Sequence, residues 1–143
     1  MHTLHIFCGL PASGKTTLAR ELCKRIGAAF FDSDTTTDLM IQAAHLAAGL
    51  DPHDRDTSVY KATYREAVYE TLFALAEENL AHTDVVIAGP FTSELKNKGA
   101  WEKELQERFS TSLVILYPII ISEELRLKRM KERGALRDKG KES

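Results

Sequence analysis

The chain holds 143 residues, 43% of them apolar and 28% charged, with 2 cysteines. That length suits one folded domain with one core, and the composition is that of an ordinary soluble protein. The net charge of −2 supplies no broad positive field for nucleic acid or acidic membrane.

Residues 4–8 (LHIFC) form a short apolar run that ends at Gly9, and this predicts a first strand. From Thr16 to Ile26 the pattern becomes helical, with Leu18, Leu22 and Ile26 recurring every four residues until Gly27 stops it. Residues 28–31 predict a second strand. It runs into Asp32, Ser33 and Asp34, a polar cluster that suits a turn or a helix cap. A helix over about 37–48, a polar loop over 49–56 and a long helix over 59–81 follow, the last with Tyr64, Val68, Leu72, Leu75 and Ala76 on one face. A third strand over 84–88 (DVVIA) closes at Gly89 and Pro90. An amphipathic helix over 94–109 then offers Leu95, Trp101, Leu105 and Phe109 to a core. Residues 113–117 (LVILY) predict a fourth strand. Ser122 can cap a last helix over 123–133, which Gly134 ends, and the tail from 135 is charged.

Strands alternate with helices, and the strands are continuous apolar runs, as expected when both faces of a sheet are covered. The pattern predicts an α/β fold with a parallel sheet, one domain over 1–143, and residues 34–81 as a helical insertion over the sheet edge. No basic leader, long apolar leader or membrane-length apolar run is present, so a cytoplasmic protein is expected. Cys8 and Cys23 then read as buried reduced thiols, with a disulfide as the alternative. The five histidines show no metal-ligand spacing, and nothing in the sequence sets an oligomeric state.

Gly9-Leu10-Pro11-Ala12-Ser13-Gly14-Lys15-Thr16 matches G-x-x-x-x-G-K-[ST] without a mismatch, between a predicted strand and a predicted helix. A chance match in a chain of this length has odds of about one in two hundred. Gly9 and Gly14 allow the backbone to approach phosphate. The loop amides, including those of Ala12 and Ser13, turn inward as an anion nest at the positive end of the following helix. Lys15 can reach the β and γ phosphates of ATP, Thr16 can coordinate Mg²⁺, and Thr17 can bond the α phosphate.

A GTPase would show D-x-x-G and N-K-x-D motifs; Asn97-Lys98-Gly99-Ala100 lacks the acid. A motor or transporter ATPase would end a neighbouring strand in an acid, whereas these strands run into Ala88-Gly89-Pro90 and Tyr117-Pro118. The metal would therefore rest on Thr16, phosphates and water, with Asp32 or Asp34 to help. These two acids follow the second strand on the edge that carries the phosphate loop. Asp34 is the first choice as base for an attacking hydroxyl and Asp32 its alternate, against a plain capping role for either. Residues 126–141 hold eight Lys or Arg. Lys128 and Lys131 suit a solvated helix face. Arg126, Arg129, Arg133 and Arg137 suit a lid that closes over phosphates, with a polynucleotide patch as the lesser option. Tyr60, Lys61, Tyr64 and Arg65 can face a substrate cleft or merely edge the core.

The segments GLPASGKTTLA, FFDSDTTTD, VVIAGPF and RGALRDKGK, in that order, resemble a family of small P-loop kinases. This family is similar to zeta toxins, chloramphenicol phosphotransferase and the kinase domain of polynucleotide kinase. The resemblance implies phosphoryl transfer from ATP to a hydroxyl. Asp34 would be the base, Gly89-Pro90-Phe91 the segment after the third strand, and 133–141 the lid, with Arg133 and Arg137 stabilising charge. Ala88 stands where many relatives carry an acid. The chain also stops just after the lid, where relatives continue, and so reads as a truncated or minimal form with four strands in order 2-3-1-4. A small-molecule hydroxyl is the expected acceptor. A nucleoside or polynucleotide 5′-hydroxyl, and a regulatory nucleotide-binding module with little turnover, are the alternatives.

Overall fold

The computed structural model describes residues 1–55 and 57–136. Four strands, β1 (Thr3–Cys8), β2 (Ala29–Asp32), β3 (Val85–Gly89) and β4 (Leu113–Pro118), form one parallel sheet in the order β2-β3-β1-β4. The expected α/β fold and strand order are both present. Register places Cys8 beside Gly89 and Pro118, and Asp32 beside Ala88, so all four carboxyl ends lie along one edge.

Seven helices connect the strands among the described residues: α1 (Lys15–Ile26), α2 (Ser33–Ala47), α3 (Ser58–Thr63), α4 (Arg65–Leu80), α5 (Thr92–Leu95), α6 (Lys98–Arg108) and α7 (Glu123–Leu136). Strand side chains alternate between two cores, as a pleated strand requires. Leu4, Ile6, Cys8, Val85 and Ile87 meet α4 and α6 through Leu72, Phe73, Ala76, Trp101 and Leu105. Phe7, Val86 and Ala88 meet Ala19, Leu22 and Cys23 of α1 on the opposite face. Helices thus cover both faces. Among the described residues none is long and apolar enough to cross a membrane.

Several expected boundaries move, each for a tertiary reason. Ala19 rather than Leu18 or Ile26 is the buried residue of α1; Leu18 is 48% and Ile26 40% exposed. An alanine lets the helix lie close on the sheet, which fixes which face turns inward. α2 starts at Ser33 rather than near 37, because Asp32 caps it by accepting from the amides of Asp34 and Thr35. The helix expected over 59–81 divides at Tyr64, which packs on His45 at a ring separation of 4.9 Å and closes α3. α4 packs against the sheet's central strands through the larger core, so the 34–81 region covers a face and is not an edge insertion. The helix expected over 94–109 divides into α5 and α6 around Lys96 and Asn97. α7 continues through Gly134 to Leu136. A glycine inside a helix costs only about 1 kcal/mol, and the residues around it are strong helix formers. Cys8 is buried and Cys23 half-buried, and both are free thiols.

Phe91 joins these elements. It is fully buried, it takes a left-handed φ of 48°, and it stacks on Tyr69 (4.2 Å) and tilts against Trp101 (5.1 Å). Its amide donates to Tyr69 Oη at 3.0 Å, which holds the strained residue in place. Phe91→Ala is therefore expected to lower stability by about 3–5 kcal/mol in urea denaturation, whereas Ile120→Ala, 89% exposed, changes it little.

Candidate functional site

Residues 9–14 form a loop held at its start by the segments that follow β3 and β4, and closed by a bond within itself. The Gly9 amide donates to Pro90 O (3.2 Å), the Ile119 amide to Cys8 O (2.8 Å), and the Ser13 amide to Leu10 O (3.2 Å). A Cβ on Gly9 would lie 2.8 Å from Ser13 Oγ and 2.9 Å from the Ile119 carbonyl oxygen, so only glycine fits. Ala12 and Gly14 both take left-handed backbone, with φ of 61° and 95°. This curls the loop around a centre just above α1. Gly14 caps α1 without a side chain, so the first-turn amides of the helix have no capping partner and face that centre.

The side chains around this centre match a polyanion. Ser13 is 3% exposed, and its Oγ is buried with no hydrogen-bond partner. Arg129 of α7 reaches across, donating through Nη1 to Ser13 O at 3.4 Å, and the same nitrogen lies 3.4 Å from where a Gly14 Cβ would stand. Burial pushes the Lys15 ammonium below the ordinary lysine range, opposed by Asp34 and then Asp32, while Arg133 lowers it further. An orphaned buried hydroxyl, uncapped amides and three cations around one centre fit the phosphate groups of a nucleotide.

Thr16 and Asp32 form the second part of the site. Thr16 Oγ1 donates to Asp32 Oδ1 at 3.4 Å, while Asp32 Oδ2 accepts from the amides of Asp34 and Thr35. Asp32 is buried and caps α2; Asp34, two residues on, is exposed and close enough to Lys15 to act on its charge. With its proton directed to Asp32, the Thr16 oxygen can turn a lone pair outward to a divalent cation. Thr17 is exposed on the first turn of α1.

The structure thus brings Gly9, Ala12, Ser13, Gly14, Lys15, Thr16, Asp32, Asp34, Arg129 and Arg133 to one sheet edge. Arg126 donates to Met130 Sδ on its own helix. Arg137, Asp138 and Lys141, and with them most of the expected lid, lie outside the described residues. Sequence reasoning missed Pro90 as the anchor of Gly9, although the Gly-Pro pair after the third strand signals a fixed turn. It also missed Glu94 and Thr92, which meet Arg65 (Glu94 Oε2 at 3.7 Å, Thr92 Oγ1 at 3.1 Å); a short helix after a strand carries no periodic signal for them. Of the expected cleft residues, Tyr60 and Arg65 lie near Asp34 and Arg55, since all of them act on the Tyr60 hydroxyl. Arg55 pairs with Asp38.

A family profile described as an AAA domain matches residues 4–142. No curated protein matches the sequence significantly. The chain is similar to a candidate kinase from Chloroflexus aurantiacus j-10-fl, with a TM-score of 0.62 and 20% identity over 94% of this chain and 68% of that one. It is similar to shikimate kinase from Acinetobacter baumannii, solved with shikimate, with a TM-score of 0.55 and 21% identity over 97% of this chain and 64% of the other. It also resembles a chain of the Pnkp1/Rnl/Hen1 RNA repair complex, with a TM-score of 0.56 and 18% identity over 94% of this chain and 38% of that one. At these identities the likeness is one of fold, the α/β P-loop kinase-like sheet.

Two outcomes are expected from this geometry. Below its folded pKa, Lys15 bears the desolvation of a half-buried charge, so it lowers stability at neutral pH; that cost fades as pH rises through the lowered value. Lys15→Met should therefore raise the melting temperature of the ligand-free protein at pH 7 by a few degrees, and a nucleoside triphosphate should raise it for the native protein but not for the variant. Burial, with Glu94 adding to it, pushes the Cys8 thiol up to about 12. At pH 8 the folded protein should be alkylated by iodoacetamide at Cys23 and not at Cys8, as read by peptide mass mapping.

Proposed function

We propose that the chain, which belongs to the AAA domain family, is a kinase that transfers the γ-phosphoryl group of ATP to a hydroxyl of a small molecule. One observation carries this reading. A carboxylate, Asp34, stands at the start of a helix beside the half-buried Lys15, at the mouth of a loop whose amides and orphaned Ser13 hydroxyl suit phosphate. A binding module needs the loop but has no use for the carboxylate.

In this reading the amides of 9–16 and Lys15 hold the β and γ phosphates, and Thr17 the α phosphate. Arg129, anchored on Ser13 O, faces the phosphates from α7, and Arg133 one turn later adds a second guanidinium. Mg²⁺ on Thr16 would neutralise charge shared by the β and γ oxygens. Asp32 serves as a positioning residue: one oxygen orients the Thr16 hydroxyl, and the other fixes the first turn of α2 and so the place of Asp34. Asp34 takes the acceptor's hydroxyl proton as its oxygen bonds to phosphorus and the bridging oxygen departs with ADP. Arg137 is assigned to the charge-stabilising set from the sequence alone.

Asp34→Asn should keep the ATP dissociation constant within about threefold and lower acceptor-dependent ADP release by about 10²- to 10⁴-fold. Arg129→Ala should weaken ATP binding by about tenfold in calorimetry. A panel of alcohols, sugars and nucleosides that elicits no ADP release would overturn the kinase reading in favour of a nucleotide-binding module. Release with a polynucleotide 5′-hydroxyl alone would move the acceptor to that class.

A further inference from the structure

α2 is apolar on both of its sides. Inward, Ile41 joins the larger core and His45 is fully buried. Outward, Leu39, Met40, Leu46 and Leu50 are 38–79% exposed, and Ala43 and Ala47 between them are exposed as well. At about 3.6 residues per turn, positions 39, 43, 46 and 47 share one stripe, opposite Ile41 and His45. Gly49, in left-handed backbone at φ 74°, turns the chain so that the Leu50 amide donates to His45 O at 2.8 Å, which sets Leu50 at the end of the same helix. A surface helix ordinarily turns charge to solvent, and one that is apolar all round is a buried helix. From residue 35 to residue 50 the only Asp, Glu, Lys or Arg is Asp38. It is engaged by Arg55 and by Gln42, whose Nε2 donates to it at 2.7 Å.

Exposed apolar residues elsewhere are set differently. Those of α7, Leu125, Leu127 and Met130, stand among Arg126, Lys128, Arg129 and Lys131. The outward stripe of α2 instead presents about 500 Å² without a charge, at the upper end of what a monomer leaves bare. No described residue covers it, and residues 137–143 (RDKGKES) hold no apolar side chain to lay on it. A second copy of the same stripe fits. Paired across a twofold axis, two stripes bury about 1,000 Å², the area at which specific association begins. Such a contact sets one surface against itself, and a face without charge meets itself without repulsion. Ala43 and Ala47, small residues between the large ones, let two helices approach closely. Asp34 falls on the other side of α2, with Ile41, so the seam leaves the phosphate loop open.

We propose that this face is a homodimer interface, in which the outward stripe of α2 packs on the same stripe of a second copy of the chain. The inference stands apart from the kinase reading, because no residue of the stripe belongs to the phosphate loop or to the acids beside it.

Sedimentation velocity of the full chain, from about 1 to about 100 µM, reads the interface. A species of twice 16.0 kDa should appear within that range. Leu39→Glu and Leu46→Glu, both at exposed positions, should keep the circular-dichroism spectrum and weaken association at least about tenfold. Ala43→Cys, near the middle of the stripe, should form a disulfide between copies through residue 43 under mild oxidation, as read by peptide mapping. Lys24→Cys, exposed on α1, should form none. A chain that stays monomeric throughout would overturn the inference and leave the face to a different partner. A dimer that both Glu variants leave unmoved would place the interface elsewhere, and would overturn it as well. Where the Glu variants fail to fold, the crosslink decides: its presence upholds the seam and its absence overturns it.

Discussion

The closed path of the backbone at Gly9 is the constraint on which the rest of this molecule depends. The chain leaves β1 between the ends of two neighbouring strands, tied to Pro90 O on one side and pressed against the Ile119 carbonyl on the other. There is no room for a side chain, and no slack for the loop to relax outward. The amides that follow are therefore presented inward by the sheet itself. Because the sheet is parallel, the same edge also receives Asp32 from β2 and the start of α7 from β4, so one geometric fact assembles the whole site.

Electrostatics then follows from burial. Lys15 sits low enough to lose part of its hydration, with Arg129 and Arg133 approaching from α7, Asp34 from α2 and Asp32 from the end of β2. Cations on one side and carboxylates on the other give the cleft a direction. The positive side lies towards α7 and the negative side towards the start of α2. Asp32 links the two, since its oxygens join the first turn of α1 to the first turn of α2. A shift in either helix would be felt by both halves of the site.

The phosphate loop was legible from the sequence because its chemistry is local. Eight consecutive residues carry the whole requirement, and the flanking apolar runs show what holds them. The strands were legible for a similar reason, since burial on both faces leaves a continuous apolar signature. The break at Tyr64 was not legible. No glycine or proline marks it, and it arises where Tyr64 meets His45, whose own ring is held by Asp51 O at 2.7 Å. Phe91 was equally silent, since an aromatic residue at positive φ has no pattern until Tyr69 supplies its partner. Leu18 and Ile26 looked like the inner face of α1, but Ala19 took that place because close packing on the sheet favours the smaller side chain.

The sequence by itself determined the parallel α/β architecture, the phosphate cradle and the presence of acids after the second strand. These depend on short runs of residues whose hydrophobicity and backbone freedom act over a single element. Only the tertiary structure decided that Asp32 is the cap and Asp34 the exposed carboxylate, that Arg129 is the guanidinium on the loop, and that Arg65 meets Glu94. Those outcomes depend on how helices distant in sequence come to rest on a common sheet edge, where a rotation of one residue exchanges a buried side chain for an exposed one.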